Sequence, residues 1–401
     1  MRYNDLPTSK KKLGINYRQD RTIFRVWSPF RDRIELLLYE DASTSKRKSY
    51  QMEKLEDGVH EVKIEGDLKG KFYTFLIEEI MEVTDPYSIS ASKNSIRSAI
   101  IDLKETNPEG WGDYKRTSPS KDFSPVIYEA HVKDFTVHWT SQVENRGEYL
   151  GFVEENPLNH LKDLGVTHIH LMPVQDFLTV REEKELFLKD NNYNWGYDPE
   201  LYNLPEGSYA TDPENPVTRI KELKTLIMEL QKAGFKVILD VVYNHTYRSY
   251  DSNFNIIMPG YYYRQYEDGR FSNGSGTGNE LATERLMVRQ FIVDSLKYWV
   301  EEYRIDGFRF DLMALIDIYT VDRILYELRL INPEIFIYGE PWLADKTLLA
   351  DKEQTTKTSQ QGRGFAFFND DFRNAIKGDN DDCGRAFSQG KWETKKEVET
   401  G

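Results

Sequence analysis

The chain has 401 residues, enough for two domains or for one large domain with an appendage. Its net charge of −14 argues against nucleic acid and anionic membranes as partners, because phosphate contacts need an excess of Lys and Arg. A single cysteine, Cys383, excludes an intrachain disulfide and the usual cysteine zinc cages. The N-terminal stretch MRYNDLPTSKKK has no apolar core of a secretion signal and no segment approaches membrane-spanning length, so the expectation is a cytoplasmic protein. Residues 22–29, 33–40, 58–66 and 71–79 are apolar or alternating runs broken by Gly, Pro and charge, which predicts a small β-sandwich. The stretches 85–94 and 105–120, rich in Pro, Gly and Ser, read as the link to a second domain, placing the domains at 1–110 and 111–401.

From residue 125 strands and helices alternate. The strand-like runs are 126–136, 167–174, 235–244, 307–312, 336–340 and 364–370. Between them lie helical patterns at 157–165, 218–234, about 281–303 and 319–331. This rhythm predicts a parallel sheet with right-handed crossovers. Polar residues cluster at the C-terminal strand ends, which favours a (β/α) barrel over a doubly wound sheet. A (β/α)8-type TIM barrel needs eight strands and the sequence supplies about six, so the multidomain reading is an all-β sandwich followed by an incomplete barrel. An open barrel is expected to leave its first and sixth strands as edges.

Strand parity sorts the polar strand ends. In GFRFDL, Arg309 and Asp311 share one face and Phe308 and Phe310 the other, so the charged pair is expected to point into the barrel. An arginine beside Asp311 is expected to hold its carboxyl low and ionised, as a nucleophile requires. Glu340, ending its strand in a less charged and partly desolvated cleft, is expected to keep a proton for general-acid work. Asp240, Val242 and Asn244 share a face on the third strand, with His245 at the rim. Other features have plainer readings. GSGTG, Gly274–Gly278, lacks the strand and Lys–Ser/Thr of a phosphate loop and reads as a flexible loop. His168 and His170 share a strand face without a third ligand, and the acidic run Asp379–Asp382 lacks calcium-loop periodicity.

Three segments, DVVYNH (240–245), GFRFDLM (307–313) and GEPW (339–342), resemble the first three active-site motifs of the alpha-amylase family, glycoside hydrolase family 13. YNWGYDP, Tyr193–Pro199, is similar to the signature of type I pullulanases within that family, and FRVWSP, DPYS and RSAIIDL…NPEGW resemble the family 48 starch-binding module. The resemblance implies Asp311 as nucleophile, Glu340 as acid/base and Arg309 as the residue orienting Asp311. It further implies His245 hydrogen-bonding the sugar before the cleaved bond, Tyr197 stacking on that sugar, and Asp240 and Asn244 supporting the site. Trp195 and Trp342 are candidate aromatic walls, core packing being an equal alternative for Trp195. The implied reaction is retaining hydrolysis of α-1,6 branch bonds in pullulan, amylopectin or glycogen, with an α-glucan or branched maltooligosaccharide as partner. It requires no cofactor and no metal; a structural calcium is allowed but not indicated. The family's fourth motif, a His–Asp pair after the seventh strand, has no match in the sequence, so the third carboxylate is missing and weak activity is expected. A second chain or a C-terminal segment could complete the barrel. The alternatives are a glucan-binding remnant without catalysis and an isoamylase or branching-type enzyme.

Overall fold

The computed structural model describes residues 3–115, 124–378 and 384–400. Cys383, the run Asp379–Asp382 and part of the expected link, 116–123, lie outside them.

The N-terminal domain is two antiparallel sheets face to face. One pairs β1 (Gly14–Arg18), β2 (Arg21–Trp27), β5 (Glu53–Lys54) and β6 (Val59–Glu65), in the order β1-β2-β6-β5. The other orders β4 (Arg47–Gln51), β3 (Ile34–Tyr39), β7 (Phe72–Ile77) and β8 (Met81–Val83), with β9 (Ser98–Ala99) also on β7. Alternate residues of the inner faces, among them Phe24, Val26, Leu36, Tyr73 and Phe75, are buried and form its core. The four apolar runs are all strands. β4 escapes the sequence pattern because RKSYQ is an exposed edge.

The serine-rich stretch 85–94 is not a loose link. Asp85, Ser88, Ser90 and Ser92 are buried; Asp85 accepts from the Tyr73 hydroxyl at 2.8 Å, and Ser90 Oγ donates to the carbonyl of Pro216 across the domain boundary. The sandwich is seated on the second domain through the same kind of bond. Ser28 Oγ donates to the carbonyl of Ile257 at 2.6 Å and the Trp27 ring meets Tyr261 at 4.7 Å.

The second domain opens with β10 (Ile127–Ala130), α1 (Val132–Thr136), α2 (Glu155–Asp163) and β11 (His168–Leu171). An antiparallel pair, β12 (Gln175–Phe177) and β13 (Pro199–Pro205), interrupts the rhythm. There follow α3 (Thr218–Lys232), β14 (Lys236–Val241), α4 (Asn253–Ile257), α5 (Leu286–Tyr303) and β15 (Gly307–Phe310). The series ends with α6 (Ile318–Ile331), β16 (Phe336–Gly339), β17 (Ala366–Phe367), α7 (Asp370–Lys377) and α8 (Lys395–Thr400).

The six strands β10-β11-β14-β15-β16-β17 form one parallel sheet in chain order. A doubly wound sheet would reverse that order at a switch point, so this is the open arc of a (β/α) barrel. Among the described residues β10 pairs only with β11 and β17 only with β16, and Val126 and Ile127 at the β10 edge are exposed. α5 begins at Leu286, later than its apolar pattern, because Leu281 N is drawn to the carbonyl of Asn244 and Ala282 N to that of Tyr262. No described helix is long and apolar enough to cross a membrane.

Candidate active site

Parallel register puts Asp240, Arg309 and Tyr338 side by side on β14, β15 and β16, and Phe308 and Phe310 are buried on the opposite face. The charged row therefore points into the arc, as parity requires. Arg309 is its centre. Nη1 lies 2.8 Å from Asp240 Oδ1 and 3.0 Å from Asp311 Oδ1, while Nη2 lies 2.6 Å from Glu340 Oε1. Glu340 Oε2 accepts from the N–H of Leu312, the residue after Asp311. Leu312 adopts a left-handed conformation, φ 39°, which costs a residue with a Cβ of order 1–2 kcal/mol and turns that N–H toward Glu340. Asn244 Nδ2 donates to Asp311 Oδ2 at 2.8 Å and to the Asp311 carbonyl at 2.9 Å.

The electrostatics differ from the expectation in two ways. Burial works against the charge of Arg309, but three carboxylates outweigh it and raise its pKa above the ordinary value. Shared among three, that charge does not keep Asp311 low: burial pushes the Asp311 carboxyl up to about 7, with Arg309 opposing and Asp240 and Glu340 reinforcing the rise. Nor is Glu340 in a less charged pocket, since it is ion-paired with Arg309. Asp240 behaves as Asp311 was expected to. Burial disfavours its charge, yet Arg309 and a hydrogen bond from His170 hold it below the usual range.

His170 is hydrogen-bonded at both ring nitrogens. Its Nε2 lies 3.1 Å from Asp240 Oδ2 and its Nδ1 3.0 Å from the Tyr338 hydroxyl, so it spans the arc beneath the charged row. Pattern alone found His170 but not this partner, because strand shear aligns it with Ile238 in register and with Asp240 only through the side chain.

Tyr197 donates its hydroxyl to Asp240 Oδ2 at 2.8 Å, and its ring lies 5.9 Å from the Arg309 guanidinium carbon. His245 is buried with Nε2 3.0 Å from the Tyr197 carbonyl and Nδ1 against Asn244 Oδ1; burial pushes its pKa down to about 4. Both facing atoms are acceptors, so a neutral ring donates to only one of them. Tyr197 and His245 also line a cleft of about 600 Å³, together with Tyr193, Trp195, Tyr247 and Thr277. Trp195 is 61% exposed there, which removes core packing as its role. Trp342 stands apart from that cleft, half-buried beside Phe368 and under Arg373. Tyr247 and Thr277 carry no motif signal that the sequence reading used. Thr277 sits in the GSGTG loop, which is tied down: Gly274 N donates to Glu280 Oε2 at 2.6 Å, and its carbonyl accepts from Ala344 and Asp345.

Among the described residues one carboxylate group is close enough to share a cation, Asp176, Glu182 and Glu206. The Arg219 guanidinium takes that place, 2.7 Å from Glu182 Oε2 and 3.6 Å from Asp176 Oδ1.

Residues 12–88 match the family model for carbohydrate-binding module 48 (isoamylase N-terminal domain), and residues 104–258 match the alpha amylase catalytic domain. The latter match stops short of Arg309, Asp311 and Glu340. The chain is 40% identical over 383 residues to a pullulanase of Bacillus subtilis, covering 92% of this chain and 51% of that protein. A solved pullulanase of Bacillus acidopullulyticus superposes with a TM-score of 0.94 at 39% identity, covering 100% of this chain and 50% of that one. A pullulanase of Paenibacillus barengoltzii, solved with maltohexaose and alpha-cyclodextrin, superposes at 0.89 with 39% identity over 94% of this chain and 60% of its own. The chain spans 51% of the length of that Bacillus subtilis relative and 31% of a pullulanase A of Streptococcus pneumoniae, to which it is 34% identical over 91% of its own length.

Proposed function

Because this chain belongs to the alpha-amylase family of glycoside hydrolases, with a module 48 domain ahead of its catalytic domain, we propose that it serves the hydrolysis of α-1,6 branch bonds in α-glucans. Pullulan, amylopectin and branched maltooligosaccharides are the substrate class. One observation carries the reading: two carboxylates, Asp311 and Glu340, are held on the two terminal nitrogens of a single guanidinium at adjacent strand ends. That closeness suits a retaining mechanism, which uses a separation of about 5–5.5 Å, better than an inverting one.

In this reading Glu340 protonates the glycosidic oxygen as Asp311 attacks the anomeric carbon. The leaving sugar departs with that proton, and Asp311 is bonded to the glucosyl unit. Water then gives a proton to Glu340 and breaks the ester, regenerating both groups. Arg309 must yield Glu340 for the acid step, and it keeps Asp311 oriented. Asn244 holds the other Asp311 oxygen, and Tyr197, fixed by Asp240, offers a ring to the sugar before the cleaved bond. Trp195, Tyr247 and Thr277 extend the wall along the substrate.

No segment of the sequence matches the motif that carries the family's third carboxylate, so the 401-residue chain by itself is proposed to bind glucan and to turn it over weakly or not at all. The test incubates purified chain with pullulan, counts reducing ends, and measures retention on an amylopectin affinity gel. Retention with little release is expected. Release that Asp311→Asn abolishes would overturn the low-activity part, and absence of retention would overturn the glucan reading itself.

A further inference from the structure

We propose a second binding site, in the seam between the sandwich and α5, for a neutral polyhydroxylated molecule of mono- to disaccharide size. The proposal goes beyond branch hydrolysis and does not depend on it. The seam encloses about 440 Å³, within the roughly 300–1,000 Å³ of small-molecule sites. Leu13, Ile15 and Ile89 line it with aliphatic side chains, and Tyr298 of α5 lines it as well.

Besides Tyr298, whose hydroxyl has no partner, two residues that line it carry an orphaned polar atom. Asn203, on β13, is 5% exposed and its Oδ1 has no hydrogen-bond partner. Tyr87, in the segment 85–94, has a buried hydroxyl without a partner. A buried acceptor left unmade costs about 1–3 kcal/mol, so a ligand that offers hydroxyls at both points gains what the protein forgoes.

The charges point to a neutral ligand. Of the lysines at the mouth, Lys11 is paired with Asp57 and Lys297 with Glu327, and Glu302 on the α5 side is paired with Lys224. What remains, Lys10 and Lys12 against Asp294 and Glu301, balances. Aliphatic and aromatic walls suit the C–H faces of a sugar ring, and the orphaned groups suit its hydroxyls. The seam also reaches toward the charged row. Ser295, which lines it, shares a 2.6 Å hydrogen bond with the Tyr243 hydroxyl, and Tyr243 precedes Asn244, which holds Asp311.

The experiment titrates the full chain with maltose, and separately with inorganic phosphate, by calorimetry. The background carries Trp195→Ala and Tyr197→Ala to weaken the cleft. Saturable maltose binding and no phosphate binding are expected. Asn203→Leu removes the orphaned acceptor, and Ile89→Phe fills the seam from the sandwich side. Each should weaken the remaining binding about tenfold or more, and the second serves if thermal melting shows the first to be misfolded. Crystals soaked in maltose should place the sugar against Asn203. The proposal falls if neither substitution changes the affinity, if the cleft substitutions alone abolish binding, if phosphate binds instead, or if the soaked seam holds only water. Seam binding without any cleft binding would sink the branch-hydrolysis reading and leave this one standing.

Discussion

Two buried clusters in this molecule have the same ingredients, one arginine among three carboxylates, and opposite fates. Arg309 sits with Asp240, Asp311 and Glu340 at the strand ends, where the side chains of Asp311 and Glu340 keep 15% and 17% exposure. Arg219 sits with Asp176, Glu182 and Glu206 where α3, the β12–β13 pair and the sandwich meet, and its members are 3% exposed or less. The sealed cluster is tied into the surrounding backbone and side chains. Ser95 Oγ donates to Asp176, the Asn94 N–H donates to Glu182, and Glu206 accepts the N–H groups of Phe177 and Ser208. Gly207 is required there, since a Cβ would overlap the Arg219 guanidinium and Glu182. Composition alone therefore does not make a reactive site. What distinguishes the first cluster is that one edge of it is open to a molecule from outside.

The comparison breaks first, and with the largest effect, at Arg219. Arg219→Met strips Glu182 and its two buried carboxyl neighbours of their cation and should cost about 3–5 kcal/mol in denaturant unfolding. A loss below about 1 kcal/mol would mean that the cluster does not join the domains. Asp311→Asn should do the reverse. Burial raises Asp311 to about 7 from an ordinary value near 4. The folded state therefore holds more protons than the unfolded one between those values, and stability falls as pH rises through them. Removing the titration should leave the thermal midpoint at pH 8 unchanged or higher, and a fall of several degrees would place Asp311 with the structural cluster.

The sealed cluster carries the same sign in a different window. Burial, reinforced by Glu182, raises Glu206 to about 8. Its protonation favours the fold at low pH, and that contribution fades as pH climbs from about 4.5 to about 8. Glu206→Gln should flatten the unfolding free energy across that window, and an unchanged slope would show that Glu206 is not its source. The smallest energetic effect belongs to Trp195→Ala, expected to shift stability by less than about 0.5 kcal/mol because the ring is mostly exposed. Retention on the amylopectin gel should nevertheless drop, and undiminished retention would remove Trp195 from the cleft's binding surface.

Much of this was legible in the order of residues. The apolar runs of the sandwich, the strand–helix rhythm after residue 125 and the inward face of Arg309 and Asp311 follow from periodicity, which backbone geometry forces on side chains. Asp240, Asn244, His245, Arg309, Asp311 and Glu340 lie in one set of contacts near their strand ends, and Tyr197, named from a motif resemblance and not from a strand end, contacts Asp240 in the same set. Three things were not legible. The inward lean of His170 onto Asp240 depends on strand shear, which no single strand encodes. The Arg219 cluster is assembled from residues 94–219, and none of its members shares a motif with another. The electrostatic division of labour was inverted. Sequence proximity paired Arg309 with Asp311 alone, whereas parallel register brought Asp240 and Glu340 to the same guanidinium.

The sequence by itself thus determined which side chains line the inner face and which family motifs they resemble, because alternation and motif spacing are local properties. Only the tertiary structure decided how one arginine's charge is divided, and therefore which carboxyl is held low and which is raised. That depends on distances and burial between strands far apart in the chain.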